Sequence, residues 1–372
     1  MIPTLLHKRK LLQEDLVRLL GTGGEEERIL LDHAAKIKRE NVGNTVYLRG
    51  LIEFSNICEK NCYYCGIRRD NTHTHRYCLS GDEALEAIRF AYENGFGSVA
   101  IQSGELTSDA FTRKIDALLK KAMRVTNGEI GITLSCGEQP EEVYRRWFES
   151  GAGRYLLRIE SSSEELYRRI HPNDGAHRFS RRLNALESLK KTGYQTGTGV
   201  MVGLPFQTVE DLANDLLFMK QFDIDMCGMG PYIEHARTPL YKNRHELPPL
   251  RERFRLSLKM VALLRILMPD INIAATTALQ SVEKEGREKA IRAGANVLMP
   301  NITPKQYRDD YSLYRNKPVS RQSNEDDPRF LRQQLNAIGH GIGYFSQGNS
   351  KHYKKRQTSS NRAVKNLNCP GS

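Results

Sequence analysis

Residues 46–65 read VYLRGLIEFSNICEKNCYYC. The first ten are strand-like, and Cys58, Cys62 and Cys65 follow directly, with three and then two residues between them. One loop at the end of a strand thus carries three sulfurs around one centre. Soft thiolates select iron–sulfur clusters, zinc or copper(I). A closed zinc site wants a fourth protein ligand, for which His73, His75 and Cys78 stand nearby. A [4Fe-4S] cluster held by three cysteines leaves one iron open to substrate or cofactor.

Beyond this stretch, strand-like runs alternate with amphipathic helices. GDEALEAIRFAYENG reads as a helix closed by Gly95, and GSVAIQSGE as the next strand. The alternation continues to NVLMPNITP, as seven full strand–helix units and a closing strand, or eight units. Regular alternation argues for parallel strands with crossover helices. Eight units over about 250 residues predict a complete (β/α)8 barrel, a TIM barrel in the α/β class, with an open doubly wound sheet as the alternative. The expected organisation is a helical segment over 1–45, the barrel over 46–302, a C-terminal segment closing it over 303–350, and a basic, disordered tail over 351–372.

In such a barrel, residues following the strands gather at one mouth. They include Glu105, Glu138, Arg158 with Glu160, and Thr276 with Thr277. Arg158 and Glu160 are two apart on one run and face the same side. Arginines inside a barrel are costly without an anionic partner, so a small anionic substrate is expected. Cys136 and Cys227 read as small buried residues, and Cys78 and Cys369 as inert.

Composition narrows the class. The chain has 372 residues, 39% of them hydrophobic and 27% charged, and no run approaches the roughly 20 apolar residues of a membrane span. The N-terminus resembles an amphipathic helix and no signal peptide, so a cytoplasmic location is expected. Seven cysteines, three of them within eight residues, fit metal ligation better than a disulfide framework. The net charge of +12 raises nucleic acid as a partner, but six of those charges sit in the tail, where Tyr353 is the one aromatic among the basic residues. A basic zinc or nucleic-acid-binding protein is therefore ranked last.

C-x3-C-x2-C, with Tyr64 as the aromatic residue before the last cysteine, resembles the signature of the radical S-adenosylmethionine family. The resemblance implies a [4Fe-4S] cluster on Cys58, Cys62 and Cys65, whose open iron binds S-adenosylmethionine and whose electron releases a 5′-deoxyadenosyl radical. IQSGE, RYLLRIES, GYQTGTGVMVGLPFQT, DMCGMGPYI and GANVLMPNITPKQYRDDYSLY further resemble that family's [FeFe]-hydrogenase maturases, over about residues 40–318.

Residue roles follow from the resemblance. Ser103, Gly104 and Glu105 would receive the methionine ammonium, Arg182 the methionine carboxylate and Glu160 the ribose. Tyr64 and Met229 would lie near the adenine. Gln102, Ser103, Thr133, Arg154, Arg158, Thr276, Thr277, Tyr307 and Arg308 would line the substrate cavity. The implied substrate is an iron–cysteine complex carrying carbon monoxide and cyanide. The implied partners are an electron donor such as ferredoxin or flavodoxin, and other hydrogenase maturases. Many such maturases carry further cysteines in the C-terminal segment. Residues 317–350 have none, so no accessory cluster is expected there. A related radical enzyme, of the methylornithine synthase or biotin synthase kind, is the alternative.

Overall fold

The computed structural model describes residues 2–315, 317 and 326–367. Eight parallel strands form its centre: Thr45–Ser55 (β1), Ser98–Ser103 (β2), Gly131–Ser135 (β3), Arg154–Leu156 (β4), Gln195–Thr198 (β5), Met226–Cys227 (β6), Asn272–Ala275 (β7) and Val297–Leu298 (β8). Each pairs with the next, and β8 returns to β1 through Tyr47↔Val297 and Leu48↔Leu298. That last pairing closes the sheet into a barrel and excludes the open sheet.

Side-chain alternation explains the two faces of the wall. On β1, Ile52 and Phe54 are buried in the outer core, whereas Arg49, Leu51 and Glu53 face the interior. Gly50 faces outward, where a Cβ would lie 2.5 Å from Ile302. The crossover helices cover the outer face. Asp109–Val125 buries Phe111, Ile115, Leu118 and Leu119, and Leu250–Leu267 is buried along most of its length. Their starts are set locally. Ser80 and Glu83 form a reciprocal cap on Gly81–Glu93, and Thr208 and Asp211 do the same for Val209–Phe222.

Two strand-like runs divide. GYQTGTGVMVGLP gives β5 and a separate pair of residues, Met201–Val202, and the latter pairs with Gly230–Pro231 beyond β6. Thr276 and Thr277 leave the strand. Thr276 is the N-cap of the short helix Thr277–Val282, and its hydroxyl donates to the Met229 carbonyl at 3.2 Å.

Three helices, Ile2–Leu6, Gln13–Leu20 and Gly24–Asn41, precede the barrel. The buried Lys259 ammonium holds the turn between the last two through the Leu20 and Thr22 carbonyls. At the other end, Gly341–Ile342 adds to the start of β1, and residues 343–350 pass beneath the N-terminal ends of the strands. Arg154 donates to the Gln347 carbonyl at 2.6 Å, Asn272 to the Gly348 carbonyl at 2.8 Å, and Gln195 to Asn349 Oδ1 at 2.7 Å. These bonds make a strap across the barrel floor.

The basic tail expected to be disordered is instead a helix, Lys351–Leu367. Carboxylates distant in sequence hold it. His352 bridges Asp223 and Asp270 at 2.5 and 3.0 Å, Lys355 meets Asp270 at 2.7 Å, and Arg356 meets Asp225 at 2.6 Å. Cys369 lies outside the described residues, as does part of the cysteine-free stretch after Lys317. No helix among the described residues is long and apolar enough to cross a membrane.

Candidate active site

The loop after β1 is held from several sides. The Arg76 guanidinium donates to the carbonyls of Asn56, Ile67, Arg68 and Asn71, at 2.6, 2.8, 2.6 and 3.2 Å. Asn71 bonds the Gly66 carbonyl at 2.6 Å. At Gly66 a Cβ would lie 2.0 Å from the Ser312 carbonyl, so only glycine fits. The loop also meets the end of β2. Glu59 donates its backbone N–H to the Glu105 carbonyl at 2.8 Å, and the Glu105 N–H points at Cys58 Sγ at 3.3 Å. At Gly104 a Cβ would lie 2.2 Å from the Ile57 carbonyl.

Cys58, Cys62 and Cys65 all reach one internal cavity of about 360 Å³. Burial pushes the Cys62 thiol up to about 12 and the Cys65 thiol well above its usual value. Such thiols stay neutral at pH 7 unless a metal's own charge deprotonates them. Two of the three candidates for a zinc set are engaged elsewhere. His75 Nδ1 meets Asp310 at 3.0 Å, and Cys78 Sγ accepts from Lys114 at 3.1 Å.

Beside the thiols lies a buried ionic cluster. Lys60 meets Glu105 at 3.2 Å and Glu138 at 2.9 Å; Arg182 meets Glu138 at 2.6 Å, and Arg181 meets it at 2.9 Å. Burial raises both carboxyls, and at Glu138 the Arg182 and Lys60 charges overcome it, holding the carboxyl below its usual range. Glu105, with Glu138 as a like-charged neighbour, is pushed up instead. A third acid, Glu160, has φ 67°, a strained conformation for a residue with a long side chain. Arg158 stands 3.1 Å from Glu160 Oε2, within ion-pair range, yet that oxygen has no hydrogen bond.

Several buried polar atoms around the cavity make no hydrogen bond: Ser103 Oγ, Thr133 Oγ1, Glu160 Oε2, and the Nε of Arg49 and Arg158. Buried polar groups are ordinarily satisfied, so unpaired ones lining a cavity are set for a ligand. These atoms and the three thiols fit an iron–sulfur cluster with a polar, partly charged cofactor beside it.

Most of the expected site residues share this cavity. Tyr64, Gln102, Ser103, Gly104, Glu105, Thr133, Arg158, Glu160, Arg182, Thr276 and Thr277 line it with the cysteines. Four do not. Met229 is fully buried and presents its carbonyl to Thr276. Arg154 lies at the N-terminal end of β4, where its guanidinium turns down to the floor strap. Tyr307 stacks on Tyr77 outside the cavity and donates to Glu83 at 2.8 Å. Arg308 donates to the Thr303 carbonyl at 2.6 Å. Glu138 stands behind Lys60 and Arg182 and supports them. Cys136 is buried behind the wall, whereas Cys227 lines the cavity.

Sequence reasoning missed Arg49, Glu53, Lys60, Tyr311, Tyr314 and Lys317, which also line the cavity. Arg49 and Glu53 alternate with Leu51 on β1, a period that pointed inward. Lys60 sits between two cysteines, where the motif's spacing alone gives it no role.

The wall, mouth and thiol trio define a barrel enzyme built around a metal cluster. Residues 52–219 match the family model described as the Radical SAM superfamily. The chain is 44% identical over 84% of its length to the [FeFe] hydrogenase maturase subunit HydE of Thermotoga maritima, covering 86% of that protein. It is 28% identical over 78% of its length to the 3-methylornithine synthase of Methanosarcina acetivorans, covering 79% of that protein. In fold it resembles the crystal structure of methylornithine synthase PylB, with a TM-score of 0.76 at 23% identity over 92% of this chain and 97% of that one. The chain belongs to the radical S-adenosylmethionine superfamily and, within it, to the family of the HydE maturase subunit. It is an enzyme whose cofactors are a [4Fe-4S] cluster and S-adenosylmethionine.

Proposed function

We propose that the chain works in assembling the catalytic cofactor of [FeFe]-hydrogenase, acting on a small anionic substrate inside the barrel. An iron–cysteine complex carrying carbon monoxide and cyanide is such a substrate. One observation carries this reading: the thiol trio lines the same cavity as Thr133 and Arg158, whose Oγ1 and Nε have no hydrogen bond within the protein.

Cys58, Cys62 and Cys65 would hold the cluster. Glu105 and the backbone at Ser103 and Gly104 suit an ammonium, and the fork of Arg182 suits a carboxylate. Glu160, held in its strained turn, would accept from hydroxyl groups of a ribose. When bound, the cluster and S-adenosylmethionine supply a one-electron cleavage of a carbon–sulfur bond. The chain orients the bound groups and encloses them with Tyr311 and Tyr314 across the mouth, which keeps water from a reactive centre. An acidic one-electron carrier such as ferredoxin or flavodoxin would provide the electron, and other maturases would exchange substrate and product.

The test is anaerobic reconstitution with iron and sulfide. The wild type should take up a four-iron cluster, release 5′-deoxyadenosine with dithionite, and restore hydrogenase maturation in a system lacking this subunit. Cys62→Ala should lose all three. Cleavage of S-adenosylmethionine without rescue of maturation would point to a different substrate.

A further inference from the structure

The net charge of +12 is not explained by the cavity, and the C-terminal helix accounts for only part of it. Much of the rest borders the cysteine loop. Residues 66–76, GIRRDNTHTHR, carry three arginines against one carboxylate, Asp70. Residues 235–245, HARTPLYKNRH, carry Arg237, Lys242 and Arg244 with no carboxylate. Four histidines lie in the same two stretches.

The fold joins these stretches over the cluster ligands. Arg237 Nη1 donates to the His73 carbonyl at 3.3 Å, and the Leu240 N–H to the Tyr63 carbonyl at 3.0 Å. The His235 ring lies 2.9 Å from where a Cβ of Gly66 would stand, beside Cys65. Arg69, Arg237, Lys242 and Arg244 are exposed. The basic surface is thus the outer side of the cysteine loop.

Resting on the cofactor chemistry above, which needs one electron from outside, we infer that this face is the docking site of an acidic electron-carrier protein. Charge complementarity of this kind steers encounter and raises on-rates about 10- to 1,000-fold at low salt. Nucleic acid fits the face less well. Phe206 and Tyr241 beside it are already covered by the guanidiniums of Arg169 and Arg244, at 3.5 and 4.7 Å, which removes these two rings as platforms for a base to stack on.

The experiment measures binding of an acidic flavodoxin to the cluster-loaded chain by calorimetry, at about 10 mM and about 100 mM salt, between which the Debye length falls from about 30 Å to about 10 Å. The variants are Arg69→Glu with Arg237→Glu, and Lys242→Glu alone. The control, Lys220→Glu with Lys354→Glu, makes the same charge change as the double variant on the floor side. Wild type and control should bind alike at low salt and weaken about tenfold or more at the higher. The double variant should bind about tenfold or more weakly at low salt, with Lys242→Glu intermediate. Dithionite-driven release of 5′-deoxyadenosine should be the same in all four. Salt-independent binding, equal binding by the double variant, or an RNA oligonucleotide that holds this face while flavodoxin does not would overturn the inference. Absence of dithionite-driven cleavage in the wild type would instead overturn the cofactor reading and leave the binding result to be judged on its own.

Discussion

Arg182 gives its Nε to Glu138 Oε1 across 2.6 Å, and both side chains are less than a tenth exposed. Glu138 at the same time receives Lys60 and Arg181, so one carboxylate orders three cations at the cofactor end of the cavity.

Glu138→Ala should therefore be costly. Removing one member of a buried ionic cluster leaves uncompensated charge, at about 3–5 kcal/mol. Thermal unfolding should show that loss. Glu138→Gln keeps the shape and part of the hydrogen bonding and should unfold closer to wild type. Calorimetric titration should still find it weaker for S-adenosylmethionine, because Arg182 and Lys60 lose their anchor.

Lys317 reaches into the barrel from the C-terminal segment and pairs with Glu53, whose Oε2 also accepts from Asn301 at 3.1 Å. Lys317→Met should leave that carboxylate with a neutral partner only. Substrate-dependent product should fall about tenfold or more, the size of one charge-assisted contact. Release of 5′-deoxyadenosine without substrate should persist. An equal loss in both assays would place Lys317 with the cofactor instead.

Arg154 and Arg158 lie four residues apart, yet one serves the floor and the other the cavity. Arg154→Met should loosen the strap over 343–350, which limited proteolysis would detect, and should lower the melting temperature. Cleavage of S-adenosylmethionine per folded molecule should stay near wild type. Arg158→Met should do the reverse, sparing the strap and depressing turnover of substrate.

The docking of helix Lys351–Leu367 should depend on pH at both ends. Hydrogen bonding to Asp270 and Asp223 raises the His352 pKa, so its contribution is complete below the unfolded value of about 6.5 and is lost as pH rises through the folded one. His352 and Lys355 hold Asp270 well below the usual range, so that contribution is present above about pH 4 and is lost as pH falls through the folded value. Hydrogen exchange of this helix should be slowest between those limits and faster on either side.

The barrel and the cluster ligands could be read from the chain because both depend on local signals. Period-two runs, caps such as Ser80 with Glu83, and a cysteine spacing are all written within a few residues. Strand position also separated mouth from floor, and Arg154 opens its strand where Arg158 follows one, a difference present in the sequence but given no weight there. Lys317 and Tyr311 could not be placed this way, since their positions depend on how the segment after β8 folds back across the mouth. The tail misled for the same reason. Its basic composition suggested disorder, while the carboxylates that dock it, Asp223, Asp225 and Asp270, are scattered over earlier turns of the barrel.

The strap beneath the barrel has a consequence for synthesis. Translation delivers residues 343–350 after all eight strands, so a nascent chain can complete its wall before its base exists. Until then the Arg49 and Arg154 guanidiniums face water through the open underside, and the energetic cost of burying them falls on one late step. A ribosome stalled before Gln347 would display a cylinder open at both ends, the form in which a chaperone would meet this enzyme.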